Sequence, residues 1–366
     1  MSFAGSYREG EVRFLLTRLP AQEFTDVAEK ERLIQSGRRH YSQMLSPESV
    51  PSPRYMAVFE DACRANNARM AADCLRLASL IAGRRDGIDE IAVVSLARAG
   101  TPVGVVVARL LREVFGRPAV HYSVSIVRDR GIDAAALRHI LANGHPPAAI
   151  VFVDGWTGKG VIARELALSV SAFNAAQGRD IDNGLYVLSD LAGAAACAAS
   201  ADDYLIPSSI LNATVSGLVS RTVLDERIGP DDFHGCVYYD QFAEHDQSQR
   251  FADALVALAQ AGDKVLPTRP PVAPLDAQSA AKRSRAYLAG AMARYGIQDV
   301  NLIKPGIGEA TRVLLRRVPR LLVLRQPGSP DVAHLEVLAE EKQVPVAIDP
   351  DLPYHAVSLI RSASDG

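Results

Sequence analysis

Apolar runs and helix-period segments alternate along the first two thirds of the chain. Nearly continuous apolar runs at residues 91–96, 150–153 and 185–188 predict buried strands, because each is short and ends in a turn. Further strands are predicted at 120–127 and 203–206, and helices at 55–80, 103–115, 134–141, 190–201 and 248–260. This order predicts an α/β fold, with a parallel sheet covered by helices on both faces.

A proline-rich stretch divides the chain. Residues 266–274 contain four prolines, which can continue neither a helix nor a sheet, so we expect a linker there. The first domain then covers residues 1–265 and the second residues 275–366. Upstream, a polar helix is expected between residues 29 and 43.

Composition sets broad limits on function. The 366 residues are 48% hydrophobic and 22% charged, which is typical of a globular protein with two domains. The four cysteines share no metal-ligand spacing, so we expect a reduced, cytoplasmic chain with no metal site. We find no signal peptide, and the longest apolar stretch, residues 91–111, is interrupted by two arginines, a glycine and a proline, so no membrane partner is expected. The oligomeric state cannot be deduced.

Charge is distributed unevenly between the two domains. Residues 1–274 contain 28 basic and 32 acidic residues, a net charge of −4. Residues 282–325 contain ten basic and two acidic residues, a net charge of +8. This asymmetry is typical of a nucleic-acid-binding domain, although a solvated face balanced by later acidic residues explains it equally well.

The strand at 150–153 leads directly to Asp154 and then to a turn rich in glycine. The turn consists of Gly155, Trp156, Thr157, Gly158, Lys159 and Gly160, and a helix follows. Backbone N–H groups at a helix start favour an anion, most often a phosphate. The glycine spacing excludes an ATP-binding P-loop and a dinucleotide fingerprint. A helix-start turn without a ligand is the alternative.

A second loop of this kind follows the strand at 91–96. It consists of Ala97, Arg98, Ala99, Gly100 and Thr101, in which small residues allow close backbone approach and one arginine can neutralise an anion. The alternative is a turn with a solvated arginine.

The two loops together resemble those of type I phosphoribosyltransferases. The resemblance implies that phosphoribosyl pyrophosphate or a related nucleotide binds with Mg²⁺. Its 5-phosphate would lie on Thr157, Gly158, Lys159 and Gly160, and its pyrophosphate on Arg98, Ala99 and Gly100. Asp154 would bind the ribose as the catalytic residue. That family has a second acidic residue where this chain has Gly155.

Two further polar segments are candidates for substrate contact. Arg128 and Arg130 end a predicted strand and are expected to close over the site, or to form a surface ion pair. Ser208 and Ser209 begin a polar run that is expected to contact the acceptor, or to cap a helix.

A thiol and an imidazole lie close together at Cys236 and His234. This pair raises the hypothesis of a cysteine protease. The alternative is that Cys236 is a small buried apolar residue.

A glycine-rich turn into a helix start lies within the basic part of the second domain. It resembles the RNA-binding loop of the pelota and archaeal ribosomal-protein family, whose pattern is Gly-x-Asn-Glu-x-Thr-Lys; Gly308 stands where Asn is usual. The resemblance implies a small α/β/α domain that binds RNA. The expected RNA contacts are Lys304, Gly306, Gly308, Glu309, Thr311 and Arg312.

The whole chain resembles a bacterial family in which a StiP-type domain, also described as phosphoribosyltransferase-like, is fused to a pelota RNA-binding domain. The matching stretches are residues 5–7, 127–133, 152–160, 207–222, 232–239 and 306–317. The resemblance implies a role in stress and tellurite resistance. We expect a phosphoribosyltransferase coupled to an RNA-binding domain. The alternatives are a non-catalytic nucleotide- and RNA-binding stress protein, and the cysteine protease named in the family label.

Overall fold

The computed structural model describes residues 2–20, 33, 38, 40–45, 48–224, 226–262 and 274–361. Within these residues, seven strands form the central sheet of the first domain. They are β1 (Arg13–Leu15), β3 (Ile91–Ala97), β4 (Ala119–Val127), β5 (Gly131–Ile132), β6 (Ile150–Thr157), β7 (Leu185–Asp190) and β8 (Cys197–Ser200). The order is β1-β4-β3-β6-β7-β8; these strands are parallel, and β5 pairs antiparallel with β4.

Helices cover both faces of this sheet. They are α1 (Pro53–Arg84), α2 (Thr101–Glu113), α3 (Ala134–Ala142), α4 (Val161–Gln177) and α5 (Ser248–Gly262). Most side chains of the central strands are apolar because both faces of the sheet are buried. The prediction of an α/β fold with a parallel sheet is therefore confirmed. The more specific expectation, a type I phosphoribosyltransferase fold, is not confirmed.

Two predicted elements are wrong. Residues 190–201 do not form a helix: the alanine-rich segment makes a turn and then β8, which pairs with β7 in the buried sheet. The Asp190 carboxylate stabilises the turn by accepting N–H groups of Ala192 and Ala195 at 2.9 and 2.8 Å. Tertiary pairing thus overrides the helix propensity of alanine. Residues 203–206 do not form a strand either.

A small second sheet lies beside the central one. It contains β2 (Thr17–Arg18) and β9 (Gly235–Cys236), which are parallel. Of the expected helix at 29–43, most residues lie outside the described part of the chain, and Tyr41–Gln43 forms a single 3-10 turn. The expected linker at 266–274 also lies outside the described residues, except that Pro274 begins the next helix.

The second domain has its own four-stranded sheet. Its strands are β10 (Ile303–Pro305), β11 (Pro319–Leu324), β12 (Val346–Ile348) and β13 (Ala356–Ile360), in the order β10-β13-β11-β12. Its helices are α6 (Pro274–Tyr295), α7 (Ile307–Arg316) and α8 (Ala333–Glu341). In the described parts of the chain, no helix is long and apolar enough to cross a bilayer.

The two domains share one apolar core. A single cluster of buried side chains runs from α1 and the central sheet to the second domain, where it includes Ile307 and Leu314 of α7 and Leu335 of α8. Polar contacts reinforce it: the Arg316 guanidinium donates to Asn212 Oδ1 at 2.7 Å, and the Tyr55 hydroxyl donates to Leu315 O. The domains therefore form one packed body.

Helix α2 packs so closely on β4 that only glycine fits at position 104. A Cβ there would lie 2.2 Å from Nε2 of His121. That ring is buried and cannot swing aside, because its nitrogens lie 2.7 Å from Ser95 Oγ and 3.2 Å from Glu11 O. We expect Gly104→Ala to lower the free energy of unfolding by about 1–3 kcal/mol.

Gly290 provides the matched control, because it also lies inside a helix but a Cβ there meets nothing within 4 Å. Gly290→Ala should raise the free energy of unfolding by about 0.5–1 kcal/mol. Urea unfolding measures both. If both substitutions changed the free energy of unfolding equally and in the same direction, the α2–β4 contact would be looser than described.

Candidate functional site

The predicted phosphate turn is shorter than the sequence suggests. Strand β6 does not end at Asp154 but continues to Thr157, because Trp156 and Thr157 pair with Ser189 and Asp190 of β7. Only residues 158–160 connect the strand to α4. Asp154 therefore lies within the last part of a strand, and its side chain is fixed by the sheet.

The Asp154 carboxyl group lies where the two predicted loops meet. Its Oδ1 accepts the N–H of Gly155 at 2.8 Å and would lie 3.0 Å from a Cβ on Gly100. Burial raises the pKa of Asp154 to about 7, although the Gly155 hydrogen bond and the charge of Arg312 oppose this rise. At neutral pH this carboxyl group is thus close to half protonated.

Several polar groups of the predicted phosphate turn have partners within the protein. Thr157 Oγ1 accepts the N–H of Gly160 at 2.9 Å. Lys159 Nζ donates to the carbonyl oxygens of Val300 and Ile303 at 2.9 and 3.0 Å, both in the second domain. In this conformation Lys159 therefore joins the domains, and two of its three donors are used.

The Arg98 side chain also has hydrogen-bond partners within the protein. The Arg98 guanidinium donates to Glu48 Oε1 at 2.6 Å and to Val219 O at 2.9 Å. Gly100 is buried and precedes α2, whereas Ala99 is exposed. The positive charge of Arg98 is balanced by Glu48 rather than directed at open solvent.

The structure brings the predicted phosphate turn after β6 into direct contact with the predicted RNA-binding turn of the second domain. A Cβ on Gly158 would lie 3.0 Å from Pro305 O, and one on Gly308 would lie 3.3 Å from the Trp156 ring. The glycine-rich turn of the second domain therefore packs against the turn after β6. Sequence reasoning treated these as separate sites and gave no indication that they meet.

Side chains of both signs line this contact. The Arg312 guanidinium donates to Glu309 Oε1 at 3.0 Å. Burial alone would raise the pKa of Glu309, but the charges of Arg312, Lys304 and Lys159 hold it below its usual value. These four groups come from both domains, so they form one electrostatic cluster.

Other predicted contacts lie apart from this cluster or serve different roles. The Thr311 hydroxyl is buried, donates to Ile307 O at 2.7 Å and lies 2.8 Å from His334 Nε2. Ser208 and Ser209 form a 3-10 turn, and Ser209 O accepts the Arg316 guanidinium at 3.2 Å. Arg128 and Arg130 lie in the turn between β4 and β5.

A separate group of residues surrounds Cys236. The His234 Nδ1 lies 2.8 Å from Ser125 Oγ, and its backbone N–H donates to Asp133 Oδ2 at 2.7 Å. Burial lowers the pKa of His234, opposed by the charge of Asp133. Cys236 pairs in register with Arg18 across β2 and β9. Burial raises the pKa of Cys236 to about 12, and only Arg18 opposes this rise.

All four cysteines are free thiols, and burial raises the pKa of each. Cys63 is half-buried on α1, whereas Cys74, Cys197 and Cys236 are buried. In the described conformation, none of them is therefore a thiolate at neutral pH.

Two important residues were missed in the sequence. Asp203 accepts the N–H groups of Ile307 and His355, each at 2.8 Å, and so connects the domains. No sequence pattern identifies it. Asp133 fixes both the start of α3, through the Ala136 N–H, and the backbone of His234. An Asp directly before a helix is a recognisable N-cap, so this signal was present.

Comparison with known proteins gives two family matches. Residues 5–256 match the family described as "Tellurite-like stress resistance cysteine protease StiP", and residues 282–362 match the "PELOTA RNA binding domain". A protein of Acinetobacter baylyi named "Cysteine protease StiP" is 42% identical over 376 aligned positions, which cover 100% of this chain and 96% of the relative.

These matches correct the expected activity. The family description and the relative's name both give a cysteine protease, so the expectation of a phosphoribosyltransferase is wrong. The expected Mg²⁺ was tied to the pyrophosphate of that reaction and stays a prediction. The expected resemblance to the StiP and pelota families is confirmed.

The raised pKa of Asp154 makes a testable contribution to stability. Because the folded state holds its proton up to about pH 7, the stabilisation is fully present below the unfolded pKa of about 4 and is lost as pH rises through 7. Asp154→Asn, which is always neutral, should therefore be more stable than the wild type at pH 8, by up to about 4 kcal/mol for a shift of about three pKa units, and nearly equal at pH 4.

Asp182 is the control, because its pKa is shifted in the opposite direction. Burial would raise its pKa, but the hydrogen bond from Arg85 and other contacts lower it overall. Asp182→Asn should therefore destabilise the protein at pH 8. Urea unfolding at several pH values measures both variants, and a pH-independent effect of Asp154→Asn would contradict the expectation.

Proposed function

We propose a proteolytic function from one premise: the chain belongs to the StiP family, described as tellurite-like stress resistance cysteine proteases. The match over residues 5–256, with a full-length relative of the same name, is the observation that supports this proposal. Cys236 is the proposed nucleophile and His234 the proposed base.

The geometry around β9 supports this assignment. Strand β9 consists of Gly235 and Cys236, and His234 directly precedes it, so the proposed nucleophile and base lie two residues apart at the small β2–β9 sheet. His234 is neutral at pH 7, since burial lowers its pKa, and a neutral imidazole can accept a thiol proton. The nearby charge of Arg18 favours the thiolate that results.

The proposed reaction follows from these roles. His234 takes the thiol proton as Cys236 Sγ attacks the peptide carbonyl carbon. The imidazolium then protonates the departing amine as the C–N bond breaks, which leaves a thioester. Water, deprotonated by His234, hydrolyses this thioester and restores the thiol.

A substrate must first reach the sulfur, which is fully buried. Strand β9 is two residues long and lies outside the central sheet. Its contacts with the chain around β2 are the N–H of Thr17 to His234 O at 2.9 Å and the N–H of Leu19 to Cys236 O at 2.8 Å. On its other side, Gly235 pairs with Val223 through two further backbone hydrogen bonds, at 2.8 and 2.9 Å, so opening at β9 breaks four backbone hydrogen bonds and leaves the central sheet paired. We therefore propose that opening at β9 exposes the thiol.

We expect Cys236→Ser to reduce cleavage of fluorescently labelled casein by at least about a hundredfold, because the alcohol is a much poorer nucleophile here. Cys63→Ser is the matched control and should retain activity, since Cys63 lies on α1 in a different part of the fold. Activity that survives Cys236→Ser would eliminate this nucleophile, and a wild type without thiol-dependent cleavage would eliminate the proteolytic function.

A second proposed function is RNA binding by the C-terminal domain. The match of residues 282–362 to the PELOTA RNA binding domain supports it, and so does the excess of basic residues between 282 and 325. The proposed role is to bring the proteolytic domain to RNA.

The full chain should bind a fluorescein-labelled RNA hairpin, with an affinity that falls steeply with salt. Lys304→Ala should weaken binding several-fold and reduce the slope of log affinity against log salt by about 1. Lys342→Ala, an exposed lysine after α8, is the control and should leave both unchanged. Anisotropy titrations measure both quantities, and an absence of salt-dependent binding would contradict this proposal.

A further inference from the structure

A cavity of about 160 Å³ lies where the two domains meet, and it is partly open to solvent. The first domain contributes the end of β7 and the segment after β8, and the second contributes α6, the end of β11 and the loop before β13. A protein cavity of roughly 150 Å³ can hold a ligand the size of benzene. This cavity therefore has room for a small ion, and the groups that line it can contact the same ion.

Three arginine side chains line this cavity. Arg69 belongs to α1, Arg283 belongs to α6, and Arg325 directly follows β11. The Arg69 guanidinium is held by the first domain, because it lies 2.9 Å from Asp202 Oδ2 and 4.5 Å from the centre of the Tyr204 ring. One wall of the cavity is therefore a fixed cation with a partner of its own.

The other two arginines are not used by the fold. Among the residues that the structure describes, neither the Arg283 nor the Arg325 guanidinium has a hydrogen-bond or ion-pair partner, and we call these two residues the unpaired arginines. Arg283 is exposed and Arg325 is half-buried. A guanidinium carries five N–H donors in a planar fork that matches the oxygens of a phosphate. Both forks are therefore available to an anion in the cavity.

The carboxylates at the cavity wall are already compensated. Asp190 and Asp203 each accept two backbone N–H groups, at 2.8 to 2.9 Å, and Asp202 pairs with Arg69. Three aspartates and three arginines balance formally. Because each carboxylate has donors of its own, the charge without a local partner is the positive charge of the unpaired arginines.

The elements that carry the unpaired arginines are fixed against each other. Gly193, in the turn after β7, leaves no room for a Cβ beside the backbone of α6, so the helix packs directly on the first domain. The Tyr354 hydroxyl donates to Ser284 Oγ of α6 at 2.7 Å, and the Arg325 N–H donates to His355 O at 3.0 Å. Rigid walls reduce the entropy that is lost when a ligand binds.

We propose that this cavity binds phosphate, either as the free ion or as the phosphate group of a small ester, through the guanidinium groups of Arg283 and Arg325. A phosphate carries more than one negative charge at neutral pH and presents several strong acceptor oxygens, which suits two guanidinium forks. The ligand would contact both domains and join them. This inference is independent of the proposed thiol site and of the proposed RNA contact at Lys304.

The experiment titrates the full chain with inorganic phosphate in an isothermal calorimeter, at constant ionic strength. The wild type should bind one phosphate saturably, and its melting temperature should rise with phosphate but not with chloride. Arg283→Gln should weaken binding by about tenfold or more, because a charge-assisted hydrogen bond is lost. Arg325→Gln, on the second-domain side of the same cavity, should do the same.

Arg285→Gln is the matched control. It removes an exposed arginine from the same helix that does not belong to the cavity lining, so the affinity for phosphate should be unchanged. Arg283 is exposed too, and its replacement should leave the fold intact. Thermal unfolding without phosphate checks that all three variants are folded.

Methyl phosphate distinguishes the two sources of the phosphate group. If it binds as tightly as inorganic phosphate, one oxygen faces the opening of the cavity and the ligand is a phosphate ester. If only inorganic phosphate binds, the ligand is the free ion. Either result supports the phosphate site.

Three outcomes would overturn the proposal. The first is a wild type that shows no saturable phosphate binding, and the second is an equal loss of affinity in Arg283→Gln and Arg285→Gln. The third is weaker binding of the labelled RNA hairpin by Arg283→Gln without any phosphate binding, which would assign the cavity to the RNA-binding surface. Because the calorimetry uses neither casein nor RNA, its failure would leave both proposed functions untouched.

Discussion

The packing of the two domains depends on the carboxylate of Asp203. It is buried at the start of α7, where it accepts N–H groups of Ile307 and His355, each at 2.8 Å. A helix N-terminus favours an anion because its first N–H groups have no partner within the helix. Burial raises the pKa of Asp203 to about 6, against the effect of these hydrogen bonds, so the group is mostly charged at neutral pH. The first domain thus supplies the anion that this helix start requires.

The contact of Asp203 with α7 fixes the orientation of the glycine-rich turn. With Asp203 at the start of α7, the glycine-rich turn faces inward and packs on Trp156 and Gly158. Next to it, the Lys159 ammonium donates to the carbonyl oxygen of Ile303, the residue before Lys304, and the Arg312 guanidinium donates to Glu309. The proposed thiol site is elsewhere, on the small β2–β9 sheet, so the two proposed functions occupy different parts of the molecule.

The sequence predicted local structure well and contacts between distant segments poorly. The apolar runs at β3, β6 and β7 identify buried strands because both faces of a parallel sheet exclude water. The strand β8 was mistaken for a helix, since alanine favours helices and its pairing with β7 cannot be read locally. The roles of Asp203 and Lys159 were hidden for the same reason: each depends on a partner more than a hundred residues away. The glycine turns suggested phosphate loops because tight packing and phosphate binding require the same small residues.

The apolar cluster that continues from α1 to α8 has a consequence for the modularity of the chain. Two segments that match separate families here share buried apolar surface, and removal of either would expose apolar side chains that the other covers. The C-terminal segment therefore cannot be exchanged freely between proteins, and its sequence is constrained by the partner it packs against as well as by any RNA it binds.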